Sequence, residues 1–231
     1  MLRPMAANPE RRAALADAGL RVLARMGPRG LTHRAVDEEA EVPRGTTSNY
    51  FRSRDALLGA LGERIFERLG PPAEVLARPR ALPPSRRSLR HYVHEIVRRT
   101  TSAPEITTAL FELRLEATRN PALAERLGAT LARGFEADVR FHASARLPGG
   151  ALEIALLHYA IDGLLLDRLG PSIGSGESLE RAVDLLVDRL VPAKRAPRRR
   201  PEPPRPPKPR REAGAAGGGK AKTSRSRRSG T

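Results

Sequence analysis

The residues best suited to specific chemistry lie in one short run, RGTTSNYFRSR, at positions 44–54. The run combines hydroxyl, amide and guanidinium groups, and it contains no aliphatic residue. These groups donate and accept hydrogen bonds, so they suit a surface that recognises a polar partner. Segments with helical apolar spacing flank the run, and we expect it to contribute a short polar helix at about residues 43–50.

The flanking elements that would position this run carry clear helix signals. Asn8 followed by Pro9 predicts a helix start, and GPRG at 27–30 predicts its end. Thr32 is expected to cap a second helix at about 33–40, and Ser53 is expected to cap a fourth. The apolar residues between these elements predict a small shared core of Leu31, Val36, Ala40, Val42, Tyr50 and Phe51.

Short helices with a polar third one are typical of a helix-turn-helix, in which that helix enters the major groove of DNA. Thr and Ser can then contact base edges or thymine methyls, while Asn49 reads adenine and Arg44 reads guanine or binds a phosphate. Thr32 and Arg54 begin flanking helices and are expected to bind phosphates. The predicted contacts to double-stranded DNA are Thr32, Arg44, Gly45, Thr46, Thr47, Ser48, Asn49, Tyr50 and Arg54. The alternative is an ordinary solvated helix.

The spacing LTxxxVxExAxVxxGTxxxYFxSxDxLL over residues 31–58 resembles the DNA-binding domain of TetR-family transcriptional regulators. The resemblance extends over residues 10–69, and ALFELRLEATRNPAL at 109–123 is similar to the sixth helix of many members. It implies an all-α fold, a homodimeric regulator, usually a repressor, and a second domain that binds a small-molecule effector. The repressor function, the effector and its release of DNA are implied by the resemblance alone.

Three departures from the family pattern affect four positions. Asp37 stands where alanine is usual, and we expect it to face solvent or a basic partner. Glu41 stands where glycine is usual, so a standard turn would impose a positive φ at a cost of about 1 kcal/mol. Thr47 and Ser48 replace the usual Leu-Tyr, so the phosphate contact that this tyrosine supports does not carry over.

The chain is expected to fold as an all-α protein with a charged, unstructured end. Prolines and composition changes predict an N-terminal arm (1–9), a helix-turn-helix domain (10–70), a Pro-rich connector (71–85), a helical ligand-binding and dimerisation domain (86–191) and a disordered Pro/Arg-rich tail (192–231). The second domain is expected to contain helices at about 86–101, 104–118, 121–143, 150–169 and 177–190.

The formal net charge of +16 is concentrated in the tail. Residues 192–231 contain fourteen Lys or Arg and two Glu, whereas residues 1–191 contain twenty-eight Lys or Arg and twenty-four Asp or Glu. The tail is predicted to be either a non-specific DNA tether or a passive, solubilising extension that could also attract acidic proteins or RNA. A nucleoid-type binder dominated by the tail is therefore an alternative to a specific repressor, and an activator is another.

Two helices at the end of the second domain predict a homodimer. The helix at 150–169 is apolar nearly all round, so it must be covered on more than one face. The helix at 177–190 would pair with it, and two such helices from each subunit would form a four-helix interface. The alternative is that both are core helices of a monomer.

Polar and aromatic residues on the apolar helices are candidates for an effector pocket. The candidates are His91, Tyr92, His94, Phe111, Glu112, Arg114, Glu116, His158, Tyr159 and Asp162. The alternative for each is a rim, core or salt-bridged position, with Arg114 and Arg119 as partners for the two glutamates. His91 and His94 have metal-ligand spacing but no evident third ligand, so no metal or cofactor is predicted.

Other classes of function find little support. The chain has no cysteine, which excludes disulfides and thiolate sites. It also lacks a P-loop and a GxSxG motif, so no enzyme is predicted. Its most apolar run, 150–166, is interrupted by Glu153, His158 and Asp162, which indicates a buried helix rather than a membrane span. We expect a cytoplasmic protein associated with the nucleoid.

Overall fold

The computed structural model describes residues 8–71 and 82–192, and it confirms the expected all-α architecture. Within these ranges the helices are α1 (Pro9–Gly30), α2 (His33–Glu39), α3 (Thr46–Tyr50), α4 (Arg54–Leu69), α5 (Arg86–Ser102), α6 (Pro104–Ala117), α7 (Pro121–Ser144), α8 (Ala151–Leu169) and α9 (Leu179–Leu190). The predictions for the arm, most of the connector and the tail fall largely outside the described residues. No helix in the described ranges is long and apolar enough to cross a membrane.

The predicted helix starts are confirmed by their capping hydrogen bonds. The side-chain oxygen of Asn8 accepts from the backbone N–H groups of Glu10 and Arg11, at 2.9 and 3.2 Å. Thr32 and Ser53 cap α2 and α4 in the same way, each accepting from the N–H three residues later. These bonds satisfy N–H groups that have no partner inside the helix.

Three residues with a positive φ lie within or between the first three helices. Gly27 has a φ of 67°, which interrupts α1 within the predicted GPRG break. Glu41 has a φ of 52°, as expected for a glutamate at a turn position that favours glycine. The helix α3 begins at Thr46 rather than near residue 43, because Gly45 takes a left-handed conformation with a φ of 87°.

The first hydrophobic cluster joins the two predicted domains. The expected core residues Leu31, Val36 and Phe51 are buried in it, and Ala40, Val42 and Tyr50 pack against it. The same cluster contains Ile106, Ala109 and Leu113 of α6 and Leu123 and Leu127 of α7. The α1–α4 unit therefore shares one core with the following helices, and α4 is packed directly against them.

A second cluster is formed by α5, α8 and α9. Leu89, Val93 and Val97 of α5 pack with one face of α8 and with Val183 and Val187 of α9. The buried face of α8 is the stripe of Ile154, Leu157, Ile161 and Leu165.

Candidate nucleic-acid interface

The N-terminal end of α3 is held by a carboxylate from α2. Asp37 accepts hydrogen bonds from the backbone N–H groups of Gly45 and Thr47, both at 2.7 Å. The Thr47 hydroxyl donates to the same carboxylate at 2.5 Å. Gly45 has no side chain with which to cap α3, so Asp37 supplies the acceptors that the helix start requires.

This geometry corrects two expectations. Asp37 is 2 % exposed, so it faces neither solvent nor a basic partner, and its partners are backbone N–H groups and a hydroxyl. Thr47 is fully buried and cannot contact a base. The side chain of Thr47 turns inward, where its hydroxyl contacts the Asp37 carboxylate.

The outer surface of α3 and its preceding turn is polar. Arg44, Ser48 and Asn49 are exposed, and Thr46 is half-buried. The hydroxyls of Thr46 and Ser48 donate to the carbonyls of Pro43 and Gly45, at 2.5 and 2.8 Å, which leaves their oxygens able to accept. Within the described residues the side chains of Arg44 and Asn49 have no hydrogen-bond or ion-pair partner, so both side chains retain their full donor capacity.

The two predicted phosphate contacts have different placements. Thr32 is exposed at the start of α2, where its oxygen caps the helix and its hydroxyl hydrogen remains available. The guanidinium of Arg54 instead donates to the carbonyls of Leu31 and Pro28, both at 2.6 Å. Arg54 thus joins the α1–α2 connection to the start of α4, and its side chain remains 42% exposed, so its contact with a phosphate stays a prediction.

One exposed basic residue near α3, Arg52, was not among the DNA contacts predicted from the sequence. Arg52 is exposed between α3 and α4, and it has no acidic partner in the described part of the chain. It directly follows Phe51, the buried residue that caps the C-terminal end of α3. This position in the chain is the signal that places Arg52 near the polar surface of α3. The remaining predicted contact, Tyr50, is half-buried against the first cluster.

Two contacts connect the start of α4 with the corner between α6 and α7. Asn120 donates to the Asp55 carboxylate at 2.9 Å, and it also caps α7 through the N–H of Leu123. Glu116 lies 3.8 Å from Arg54 and 3.2 Å from Arg119. A shift of this corner would therefore act on the residues that follow the polar surface of α3.

A bidentate ion pair joins α1 to the second half of α4. Arg64 donates to both carboxylate oxygens of Asp17, at 2.9 and 2.8 Å, and Arg68 lies 3.0 Å from the same group. Burial alone would raise the pKa of Asp17, but the hydrogen bonds and charges of the two arginines lower this pKa below its usual value. Arg21 and Arg25 likewise lower the pKa of Glu39 through hydrogen bonds between α1 and α2.

Family models match both the α1–α4 region and the helices that follow the connector. The model described as "Bacterial regulatory proteins, tetR family" matches residues 15–61, and the one described as "Tetracyclin repressor-like, C-terminal domain" matches residues 84–193. This chain belongs to the TetR family. It is a DNA-binding transcription regulator with a helix-turn-helix, formed by α2 and α3. TetR-family regulators are generally non-enzymatic.

Solved structures of TetR-family regulators have the same fold. The multidrug binding protein EbrR, complexed with imidazole, is 27% identical, with a TM-score of 0.57 over 85% of this chain and 100% of that chain. A TetR-family member from Streptomyces coelicolor A3 is 26% identical, with a TM-score of 0.54 over 80% and 100%. A transcriptional regulator from Rhodococcus sp. is 21% identical, with a TM-score of 0.57 over 78% and 95%, and shows the fold alone. A search of curated proteins gives no match.

Several of the predicted pocket residues of this TetR-family chain pair with side chains on neighbouring helices: His94 with Asp184, His158 with Asp138, and Asp162 with Arg114. His91 and His94 share a groove of about 380 Å³ with the start of α9. The lining of this groove does not include Phe111, Glu112, Glu116, His158, Tyr159 or Asp162. In the described ranges no three His, Asp or Glu side chains could hold a metal ion.

Proposed function

We propose that this regulator is a homodimeric repressor that acts in the cytoplasm on a pseudo-palindromic operator. The observation that carries the proposal is the outer surface of α3, where Arg44, Ser48 and Asn49 are exposed on a helix anchored from within. Arginine recognises guanine and asparagine recognises adenine through paired hydrogen bonds in the major groove. Exposed Arg and Asn side chains without partners among the described residues fit base recognition better than they fit an ordinary solvated helix.

The dimer is supported by a stripe of exposed apolar residues on α8. Leu152 and Tyr159 are 67% and 70% exposed, and Leu156 and Leu166 are exposed with them. Together with the exposed Gly163 their spacing is 4, 3, 4 and 3 residues, which is the repeat of a helix seam packed against another helix. The opposite face of α8 already forms the second cluster. A second copy of α8, with the exposed Leu185 of α9 beside it, would cover this stripe.

In such a dimer each copy would place one α3 in the major groove. The two helices would read half-sites about 34–36 Å apart, one turn of DNA. A ligand that favours a dimer with a different spacing would release the operator, and the free energy of release would equal its difference in affinity for the two states.

The release by a small molecule is supported by a relative and by the contacts of α4. EbrR is described as a multidrug binding protein and has been crystallised with imidazole and with ethidium. In this chain the groove beside His91 and His94 is a candidate effector site. The corner of α6 and α7, through Glu116 and Asn120, offers the route by which a change in the second domain would reach α4.

Selection of DNA from a random pool at near-physiological salt tests the proposal. Full-length protein and a 1–191 truncation are used in parallel, because fourteen cations in residues 192–231 favour a second candidate, a non-specific binder dominated by the tail. Enrichment of one palindrome by both supports the repressor. Binding of all sequences by the full-length protein, with no enrichment by the truncation, would overturn it. Transcription from a promoter with the selected site then separates repression from activation.

A further inference from the structure

The N-terminal end of α3 is held by the carboxylate of Asp37, which lies outside the helix. Five residues form too few internal hydrogen bonds for a helix to be stable alone. Asp37 provides three acceptor contacts to Gly45 and Thr47, and it does so from a position that is almost fully buried. The orientation of α3 on α2 is therefore set by hydrogen bonds, which have strict distance and angle requirements.

Asp37 and Thr47 are two of the positions at which this chain departs from the family pattern, and the structure brings them into direct contact. A buried carboxylate or hydroxyl without a partner is costly. Each of the two side chains supplies a hydrogen-bond partner that the other needs in this buried position.

The inward direction of Thr47 fixes the directions of its neighbours. Successive residues on a helix are rotated by about 100°, so holding Thr47 against the core turns Ser48 and Asn49 outward. Gly45, held by the same carboxylate, directly follows Arg44. One group thus governs the placement of the residues offered to DNA on both sides of the helix start.

We propose that Asp37 is a positioning residue for base recognition, and that it forms with Thr47 a polar latch, the Asp37–Thr47 pair, that orients α3 in the groove. This inference rests on the proposed function, because it explains how the α3 surface proposed to bind DNA is oriented to recognise particular bases. Asp37 itself touches no DNA. The latch acts only through the residues that α3 and its preceding turn present.

The experiment measures binding of full-length variants to the duplex that the wild type selects and to a scrambled duplex at the same salt. The variants are Asp37→Ala, Thr47→Val, and the double change Asp37→Ala/Thr47→Leu, which restores the usual apolar pair. Glu38→Ala is the matched control, since Glu38 is an exposed carboxylate on the same helix, and its one ion pair among the described residues is with Arg34. The control is expected to bind both duplexes as the wild type does.

Asp37→Ala is expected to weaken binding to the selected duplex at least about tenfold and to the scrambled duplex less than about threefold, since phosphate contacts are retained. Thr47→Val removes one hydroxyl at nearly constant shape, and a smaller loss in the same direction is expected. The double change is expected to recover affinity to within about threefold of the wild type, because the coupled partners are replaced together. A repeated selection with Asp37→Ala is expected to give a weaker or altered motif.

Three results would overturn the latch. One is unchanged affinity and motif in Asp37→Ala. Another is an equal loss on both duplexes, which a merely structural role would produce. The third is a double variant that binds the selected duplex no better than Asp37→Ala alone. If Asp37→Ala does not fold, Thr47→Val and the double variant, which preserve packing, decide the same question.

The outcome also separates the latch from the proposed function. If the wild type enriches no motif, the proposed function fails, and hydrogen exchange at the amides of Gly45 and Thr47 then tests the latch directly. Loss of protection in Asp37→Ala, with protection kept in Glu38→Ala, supports the latch. Equal protection in both variants overturns it.

Discussion

Replacing Asp17 by alanine is expected to lower the free energy of unfolding by about 2 kcal/mol. Asp17 accepts two hydrogen bonds from Arg64 and lies 3.0 Å from Arg68. Hydrogen bonds between charged groups contribute about 1.5–3 kcal/mol net. The side chains of Arg64 and Asp17 are 22% and 19% exposed, so solvent screening places the loss in the lower half of that range. The substitution leaves Arg64 with Glu67 as its remaining partner.

Thermal unfolding of the full-length protein measures this loss. For a cooperative unit of this size 1 kcal/mol corresponds to about 2–4 °C, so a fall in Tm of about 4–8 °C is expected. Glu67→Ala is the matched control, because it removes the other partner of Arg64. Glu67 is 63% exposed, and its loss is expected to cost no more than about 0.5 kcal/mol. Equal shifts in Tm for the two variants would refute the reasoning.

The same ion pair predicts a dependence on pH. The pKa of Asp17 in the folded protein is lowered, so its stabilisation is fully present above the unfolded value of about 3.9. The stabilisation is lost as pH falls through the lower folded value. In urea titrations the difference between wild type and Asp17→Ala is expected to stay constant from about pH 7 to pH 5 and to shrink below about pH 4. A difference that grows on acidification would contradict this assignment.

Three further predictions concern base reading, assembly and a buried histidine. Asn49→Ala is expected to relax the preference at one base pair by about 1–3 kcal/mol. Arg52→Ala is expected to weaken binding to all duplexes alike and to reduce the slope of log K against log salt concentration by about one. Gel-shift titrations with several duplexes and salt concentrations distinguish the two effects. Leu152→Glu, on the exposed stripe of α8, is expected to give a monomer by light scattering, and an unchanged dimer would remove the proposed interface. Burial lowers the pKa of His142, so the stability linked to its neutral form is fully present above the unfolded pKa of about 6.5 and declines as pH falls. In denaturant titrations, His142→Gln is expected to reduce the change in the free energy of unfolding between about pH 7 and pH 5.

The start of each early helix could be predicted from the sequence because its signals are local. The caps Asn8, Thr32 and Ser53 lie within three residues of the N–H groups they accept from. The fixed spacing of residues 31–58 identified the helix-turn-helix for the same reason, since the apolar positions repeat within a few turns. The residues expected in the core between α2 and α3 are buried or packed against it.

The direction of individual polar side chains could not be predicted in this way. Thr47 and Asp37 are ten residues apart, and whether they meet depends on where α3 begins. The sequence predicted a start near residue 43 and did not determine which residues of α3 face the core. In the structure Gly45 is left-handed and α3 begins at Thr46. A rotation of about 100° per residue then decides which hydroxyl faces the core.

The sequence by itself determined the helices, the recognition motif and the apolar faces, because all of these depend on residues within a few turns of one another. Only the tertiary structure decided that Arg54 binds the carbonyls of Leu31 and Pro28 and that Glu116 lies beside it. Those contacts join residues separated by 23, 26 and 62 positions. They depend on how whole helices cross, and no local pattern of residues specifies that crossing.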